Sequence, residues 1–168
     1  RDAALRAVAA RFEGILQELV DDLSILRLPV QECKGPLGPE AERMRAVTAR
    51  FLPEFVTPMA AVAGAVADEM ARVIAATQGV ETAYVNNGGD IAVHLREGER
   101  FEIAMVARPD APVALGTISL RPGDPAGIAT SGRHGRSHSL GIADSVTVLA
   151  KNAAAADSRP HQEGRPNV

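Results

Sequence analysis

The chain of 168 residues has no tryptophan, one tyrosine and four phenylalanines, so aromatics make up only 3% of it. A surface that stacks unpaired bases on aromatic rings is not expected from that composition. Its formal net charge is −3, which removes bulk electrostatic attraction as a basis for nucleic-acid binding. Cys33 is the single cysteine, so neither an intrachain disulfide nor a four-cysteine zinc site can be built. No apolar run reaches the ~18 residues that a membrane span requires; the stretch Met59–Ala67 is the longest, and Gly64 interrupts it. No signal peptide is visible, so a cytoplasmic location is expected. The GxxxxGK and GxGxxG nucleotide loops are both missing.

What is present is a globular composition, 46% hydrophobic and 23% charged, in a length that fits one domain. We expect that domain at residues 1–157, with 158–168 as an irregular tail or truncated end, because the final SRPHQEGRPNV has no hydrophobic period.

Residues 1–27 read as one amphipathic helix on Leu5, Val8, Phe12, Ile15, Leu16, Leu19, Val20, Leu23 and Leu26. A second helix is expected from Pro39 to Arg50. A third runs from Thr57-Pro58, a hydroxyl cap with proline behind it, to about Thr77. Its small residues, Ala60 to Ala67, admit another backbone or a ligand at close range. From Thr82 the period becomes two. Strands are expected on both sides of Asn86-Asn87-Gly88-Gly89-Asp90, over Phe101–Val106 and over Gly116–Leu120. Ser145–Ala150 reads as a buried strand, and Asn152 as the cap of a short helix at Ala153–Ala156. Helices followed by antiparallel strands followed by a helix define an α+β fold.

Two glycine-rich segments stand out. In Asn87, Gly88, Gly89 and Asp90, adjacent glycines permit positive φ and bare backbone, although Asn-Gly is also the commonest signal for an ordinary hairpin turn. The segment 129–141 gathers Thr130, Ser131, Arg133, His134, Arg136, Ser137, His138 and Ser139 around Gly132 and Gly135. Exposed amides, hydroxyls and forked guanidinium donors in a chain of negative net charge point to a local anion site suited to pyrophosphate. A solvated polar loop is the competing reading. His134 and His138 would make a metal pair only on a helix, which the glycines oppose. Asp68, Asp90, Asp144 and Asp157 are candidates to hold a divalent cation beside a polyphosphate.

The stretches FVTPMAAVAGAVADEM (55–70), AYVNNGGDIAVHL (83–95), GIATSGRHGRSHSLGIADSVTVLA (127–150) and AAAAD (153–157), in this order, resemble ApbE-like proteins, and among them the UPF0280 branch. The resemblance implies an ApbE-like α+β fold, an antiparallel sheet with N-terminal helices packed on it. It also implies FAD as the nucleotide and Mg²⁺ as the ion. The activity it implies is transfer of FMN from FAD to a threonine or serine of an acceptor protein. Carried over residue by residue, Asn87, Gly88, Gly89 and Asp90, with Thr130, Ser131, Gly132 and Arg136, would bind the flavin dinucleotide. Asp157 and the carbonyl at Ala61 would hold the metal, and Asp144 and His138 would serve as base. Two positions depart from the pattern: Ala63 stands where the family has lysine, and His161 where it has threonine. The UPF0280 branch implies an alternative, a binding protein for a phosphorylated or sulfur-containing metabolite linked to sulfur assimilation. The small-residue helix could also serve as a contact in a homo-oligomer.

Overall fold

The computed structural model describes residues 1–106, 114–131 and 146–158. Helices dominate the first half. Asp2–Asp21 forms α1 and Leu23–Leu26 forms α2. The expected single helix is thus broken at Asp22, whose side chain is drawn away to accept a hydrogen bond from the Gly38 amide at 2.8 Å. Pro39–Thr48 forms α3, with proline in its first turn, and a short 3-10 turn continues it through Phe51.

The third helix begins differently from the sequence expectation. Thr57 makes no side-chain cap; Pro58–Ala61 is a 3-10 turn, and α4 runs over Val62–Ala75. Its first turn finds a distant acceptor instead, described below.

The strands are β1 (Thr82–Asn87), β2 (Asp90–Leu95), β3 (Phe101–Val106), β4 (Ala114–Leu120), β5 (Gly127–Ser131) and β6 (Val146–Ala150). Among the described residues they form a four-stranded sheet in the order β1-β2-β5-β6 and a β3-β4 ribbon. Each pairing is antiparallel. The expected α+β class is therefore correct. β6 lies at the sheet edge with Leu149 exposed and only Val148 fully buried, which corrects the expectation of a buried strand. Ala153–Asp157 forms α5, and the Asn152 side chain accepts from the Ala155 amide at 2.9 Å as expected, a cap worth about 1 kcal/mol.

Alternation along the strands sorts the side chains between two layers. On one face, Val85 and Ala92 meet Ala67 and Ala71 of α4 and Ala153 of α5, while Ala129 and Val148 meet Ala156. On the other, Ile91, Val93 and Ile128 pack against Phe101, Ile103, Ile118 and Leu120 of the ribbon. A helical cluster joins Leu26, Met44, Ala61, Ala65 and Ala154. Alanine predominates on the helix side because backbones approach there closely. A Cβ on Gly64 would stand 2.3 Å from the Ala153 carbonyl oxygen, and one on Gly127 would stand 1.9 Å from the Asn152 carbonyl carbon.

Candidate functional site

The first glycine-rich segment is a two-residue hairpin turn. Asn87 pairs with Asp90, so Gly88 and Gly89 form the loop, at φ +72° and +116°. Positive φ at both positions matches the twist of antiparallel strands and selects glycine. The Gly89 amide donates to Asn86 Oδ1 at 3.0 Å. The Asn87 amide group donates to the Ala63 carbonyl at 3.1 Å, which ties the turn to the first residues of α4. This tie was not visible in the sequence, because turn chemistry alone explains an asparagine at position 87.

The second glycine-rich segment starts beside that turn, at the end of β5. Ser131 closes β5 and pairs with Val146 at the start of β6. The Thr130 and Thr147 hydroxyls lie 3.0 Å apart, and a Cβ on Gly89 would come within 3.5 Å of the Thr130 carbonyl oxygen. Asn87, Gly88, Gly89, Asp90, Thr130 and Ser131 are thus gathered at one end of the sheet. Gly132, Arg136, His138 and Asp144 lie outside the described residues.

Asp90 shares the parity of Ala92, and so points toward the helices. Burial there pushes its carboxyl up to about 6. Asp157, at the end of α5, faces the same interior. Burial first, and then the Asp90 charge, push it up to about 7, against the pull of the Gly64 and Ala63 amides; Asp68 adds a small push in the same direction. The Gly64 amide donates to Asp157 Oδ2 at 2.9 Å. Ala61, directly before α4, is fully buried. Asp90 and Asp157 are therefore two buried carboxyls beneath the turn, and the Asp90 charge disfavours ionisation of Asp157.

Asp68 has a different task from the cation ligand considered for it. Its Oδ1 and Oδ2 accept from the Ala153 and Ala154 amides, at 2.9 Å each. Both oxygens are engaged in holding the start of α5, and the residue is a structural cap. Among the described residues, no three His, Cys, Asp or Glu side chains converge as a metal centre.

Two cavities lie away from this end of the sheet. One of about 490 Å³ is lined by Leu5, Ile74, Val80 and Thr82, at the opposite end of β1 from the turn. Another of about 180 Å³ is lined by His94, Leu95 and Arg121–Ala126, at the far end of β2.

A buried charge network beside α4 carries no signal in the sequence pattern. Glu69 accepts from Arg11 Nε at 2.8 Å and from Arg72 Nε and Nη2 at 2.7 and 2.8 Å. Glu40 accepts from Arg43 Nη1 at 2.8 Å. Both glutamates are almost fully buried. Three arginines from α1, α3 and α4 surround them, which satisfies the requirement that buried charges be paired.

Helices on one face of an antiparallel sheet, with the Gly88-Gly89 turn lying against the end of β5 at Thr130, define the class as an α+β protein with a candidate site at one end of the sheet. The chain matches the family described as "AbpE bacteria" over residues 1–159 and belongs to it. It is similar to UPF0280 protein MK0206 of Methanopyrus kandleri, at 36% identity over 133 residues, 79% of this chain and 50% of that protein. A UPF0280 protein of Methanothermobacter thermautotrophicus is 35% identical over 131 residues, 77% of this chain and 48% of that one. The chain thus spans about half the length of these relatives. No helix among the described residues is long and apolar enough to cross a membrane.

Proposed function

We propose that this chain binds a flavin dinucleotide, FAD, across its two glycine-rich segments, as an ApbE-like protein. The reading implies a Mg²⁺-dependent activity that attaches FMN to a threonine or serine of an acceptor protein. The observation that carries it is the approach of Gly89 to the Thr130 carbonyl. It brings the GGD turn against the end of β5 at Thr130, which is far from it in sequence. Glycine amides and hydroxyls there have the chemistry to cradle phosphates. Arg136 supplies the permanent positive charge that a pyrophosphate needs in a chain of net charge −3.

Asp157 and the Ala61 carbonyl would hold a hard cation; both offer oxygen only, which suits Mg²⁺. When bound, such an ion would neutralise charge on the phosphates. Asp90 would share its field. His138 or Asp144 would take the proton from the acceptor hydroxyl.

The second reading is a site that keeps a phosphorylated or sulfur-containing metabolite without flavin transfer. Ala63 in place of lysine and His161 in place of threonine favour it, as does the similarity to proteins named only UPF0280. The test is a titration with FAD, followed by quenching of flavin fluorescence, with and without Mg²⁺. A threonine-containing acceptor peptide is then weighed by mass spectrometry. Gain of FMN mass supports transfer. Binding that ignores Mg²⁺, with no mass gain, supports the second reading. Absence of FAD binding overturns the flavin assignment.

A further inference from the structure

α1 packs one side on α4 and leaves an apolar stripe uncovered. Leu5, Phe12, Leu16 and Val20 are 56%, 57%, 69% and 49% exposed, and Ala9 between them is exposed as well. The amphipathic period places these residues on the same side as Ile15, yet among the large apolar side chains of α1 only Ile15 is buried. Their spacing is specific. Leu5, Ala9, Phe12, Leu16, Leu19 and Leu23 recur at intervals of four and three, the heptad rule for a seam between two helices. Leu19 and Leu23 are half-buried in their own chain, so the free part of the seam is Leu5–Leu16, with Val20 at its border.

The charges beside the stripe select both the partner and its direction. Arg6 and Glu13 are exposed on one flank, one heptad apart, and neither makes a salt bridge among the described residues. If a second α1 lies antiparallel about a two-fold axis between Ala9 and Phe12, Leu5 meets the partner copy's Leu16, and Ala9 meets its Phe12. A small side chain is then opposite a large one. In that register the Arg6 of each copy falls opposite the Glu13 of the other, twice by symmetry. Parallel pairing sets Arg6 opposite the partner copy's Arg1 and Glu13 opposite its Val8, so neither meets an opposite charge. We infer that α1 is a self-association surface, which pairs antiparallel with the α1 of a second copy of this chain. A seam from Leu5 to Val20 is about 22 Å long, the length of a contact between two single helices.

Sedimentation velocity on the whole chain tests this, from about 1 to about 100 μM. The expected result is a monomer–dimer equilibrium. Leu16→Glu, at an exposed position, gives monomer throughout while the circular dichroism spectrum is unchanged. Arg6→Glu and Glu13→Arg each weaken the dimer by about tenfold or more, by setting like charges opposite one another. Mixing these two variants restores a heterodimer of wild-type strength, because every opposed pair is again of opposite sign. A wild-type chain that stays monomeric overturns the proposal and leaves the stripe to a different protein. A dimer indifferent to Leu16→Glu, or singly swapped variants that do not recover on mixing, overturns the surface or the register.

Discussion

The Asp157 carboxylate accepts a hydrogen bond at 2.9 Å from the Gly64 amide, 93 positions earlier in the chain. The connection runs both ways. Asp68, one turn along α4 from Gly64, accepts from the first two amides of α5, at Ala153 and Ala154, and Asp157 ends α5. Each helix thus supplies the carboxylate that satisfies unpaired amides of the other. α4 needs no cap from Thr57 because Asp157 provides one. The same lock holds Asp157 near Asp90, and the Asn87–Ala63 hydrogen bond fixes the hairpin turn above them. The geometry of the candidate site is therefore coupled to the contact between α4 and α5.

Gly64→Ala should break that contact. The added Cβ would stand 2.3 Å from the Ala153 carbonyl oxygen, 2.5 Å from its carbonyl carbon and 2.6 Å from the Ala154 nitrogen. These are backbone atoms, which cannot swing aside as a side chain would. Alanine's better helix propensity, worth about 1 kcal/mol, is outweighed by overpacking. We expect a net loss of about 2 kcal/mol or more, measured as a lower urea midpoint. A midpoint that rises would show that α5 does not sit against Gly64.

Asp68→Asn keeps the size of the side chain but leaves one oxygen to accept where two now do. The replacing NH2 group would face an amide that also donates. The expected loss is about 1–3 kcal/mol, the cost of a buried group left unsatisfied. Hydrogen exchange should show faster exchange at Ala153 and Ala154 than in wild type. Asp68→Glu should not rescue it, since the longer side chain cannot hold both amides at 2.9 Å without displacing α5.

The local elements were readable because their signals are local. Asn152 before four alanines, the period of two around Asn86–Asp90, and Pro39 at a helix start each follow from the conformational preferences of a few residues. The Gly88-Gly89 turn and Thr130 lie side by side, although nothing in the spacing of the two segments sets that distance. What escaped the sequence depends on pairs far apart in the chain. Asp68 and Asp157 are both plausible cation ligands when read singly; only the placement of α5 shows that both oxygens of one are engaged. Glu40 and Glu69 look like surface residues of amphipathic helices until Arg11, Arg43 and Arg72 close around them. The outward turn of Phe12 and Leu16 is equally invisible in the periodicity, since a seam and a core face share similar spacings.

The Glu40–Glu69 network predicts how stability depends on pH. Arg72 and Arg11 lower Glu69 to about 2, below its ordinary 4.5. The unfolded chain therefore binds more protons between those values, and stability rises with pH from about 2 to about 4.5. Glu40 goes the other way. Burial first, and the Glu69 charge after it, push it to about 7 despite Arg43 and Arg11. The folded chain then holds the extra proton between 4.5 and 7, and stability falls over that window. Buried Asp90 and Asp157, raised to about 6 and about 7, add to that fall from about pH 4 upward, so urea midpoints should rise on the acid side of about pH 4 and decline from there toward pH 7. Glu40→Gln should make the decline shallower between pH 4.5 and 7, with the share of Asp90 and Asp157 remaining, while leaving the acid limb in place. A decline of the same steepness in that variant would remove Glu40 as its source.

The two turn glycines should respond differently to substitution, because their backbones differ. Gly88 has φ +72° with open space around its Cβ position, whereas Gly89 has φ +116° and faces the Thr130 carbonyl oxygen at 3.5 Å. The first value lies close to the left-handed helical region that asparagine tolerates; the second lies in a region that L side chains rarely enter. Gly88→Asn should therefore cost less than about 1 kcal/mol, and Gly89→Ala about 1–3 kcal/mol. The hydrogen bond from the Gly89 amide to Asn86 would be strained in the second variant alone. If FAD binds across this turn, Gly89→Ala should also weaken the fluorescence titration by about tenfold, corresponding to about 1.4 kcal/mol, while Gly88→Asn leaves it nearly unchanged. Equal loss of stability in both variants would mean that the turn does not hold the two φ values apart. A stability loss at Gly89 without weaker FAD binding would separate the turn's role in folding from any role in the site.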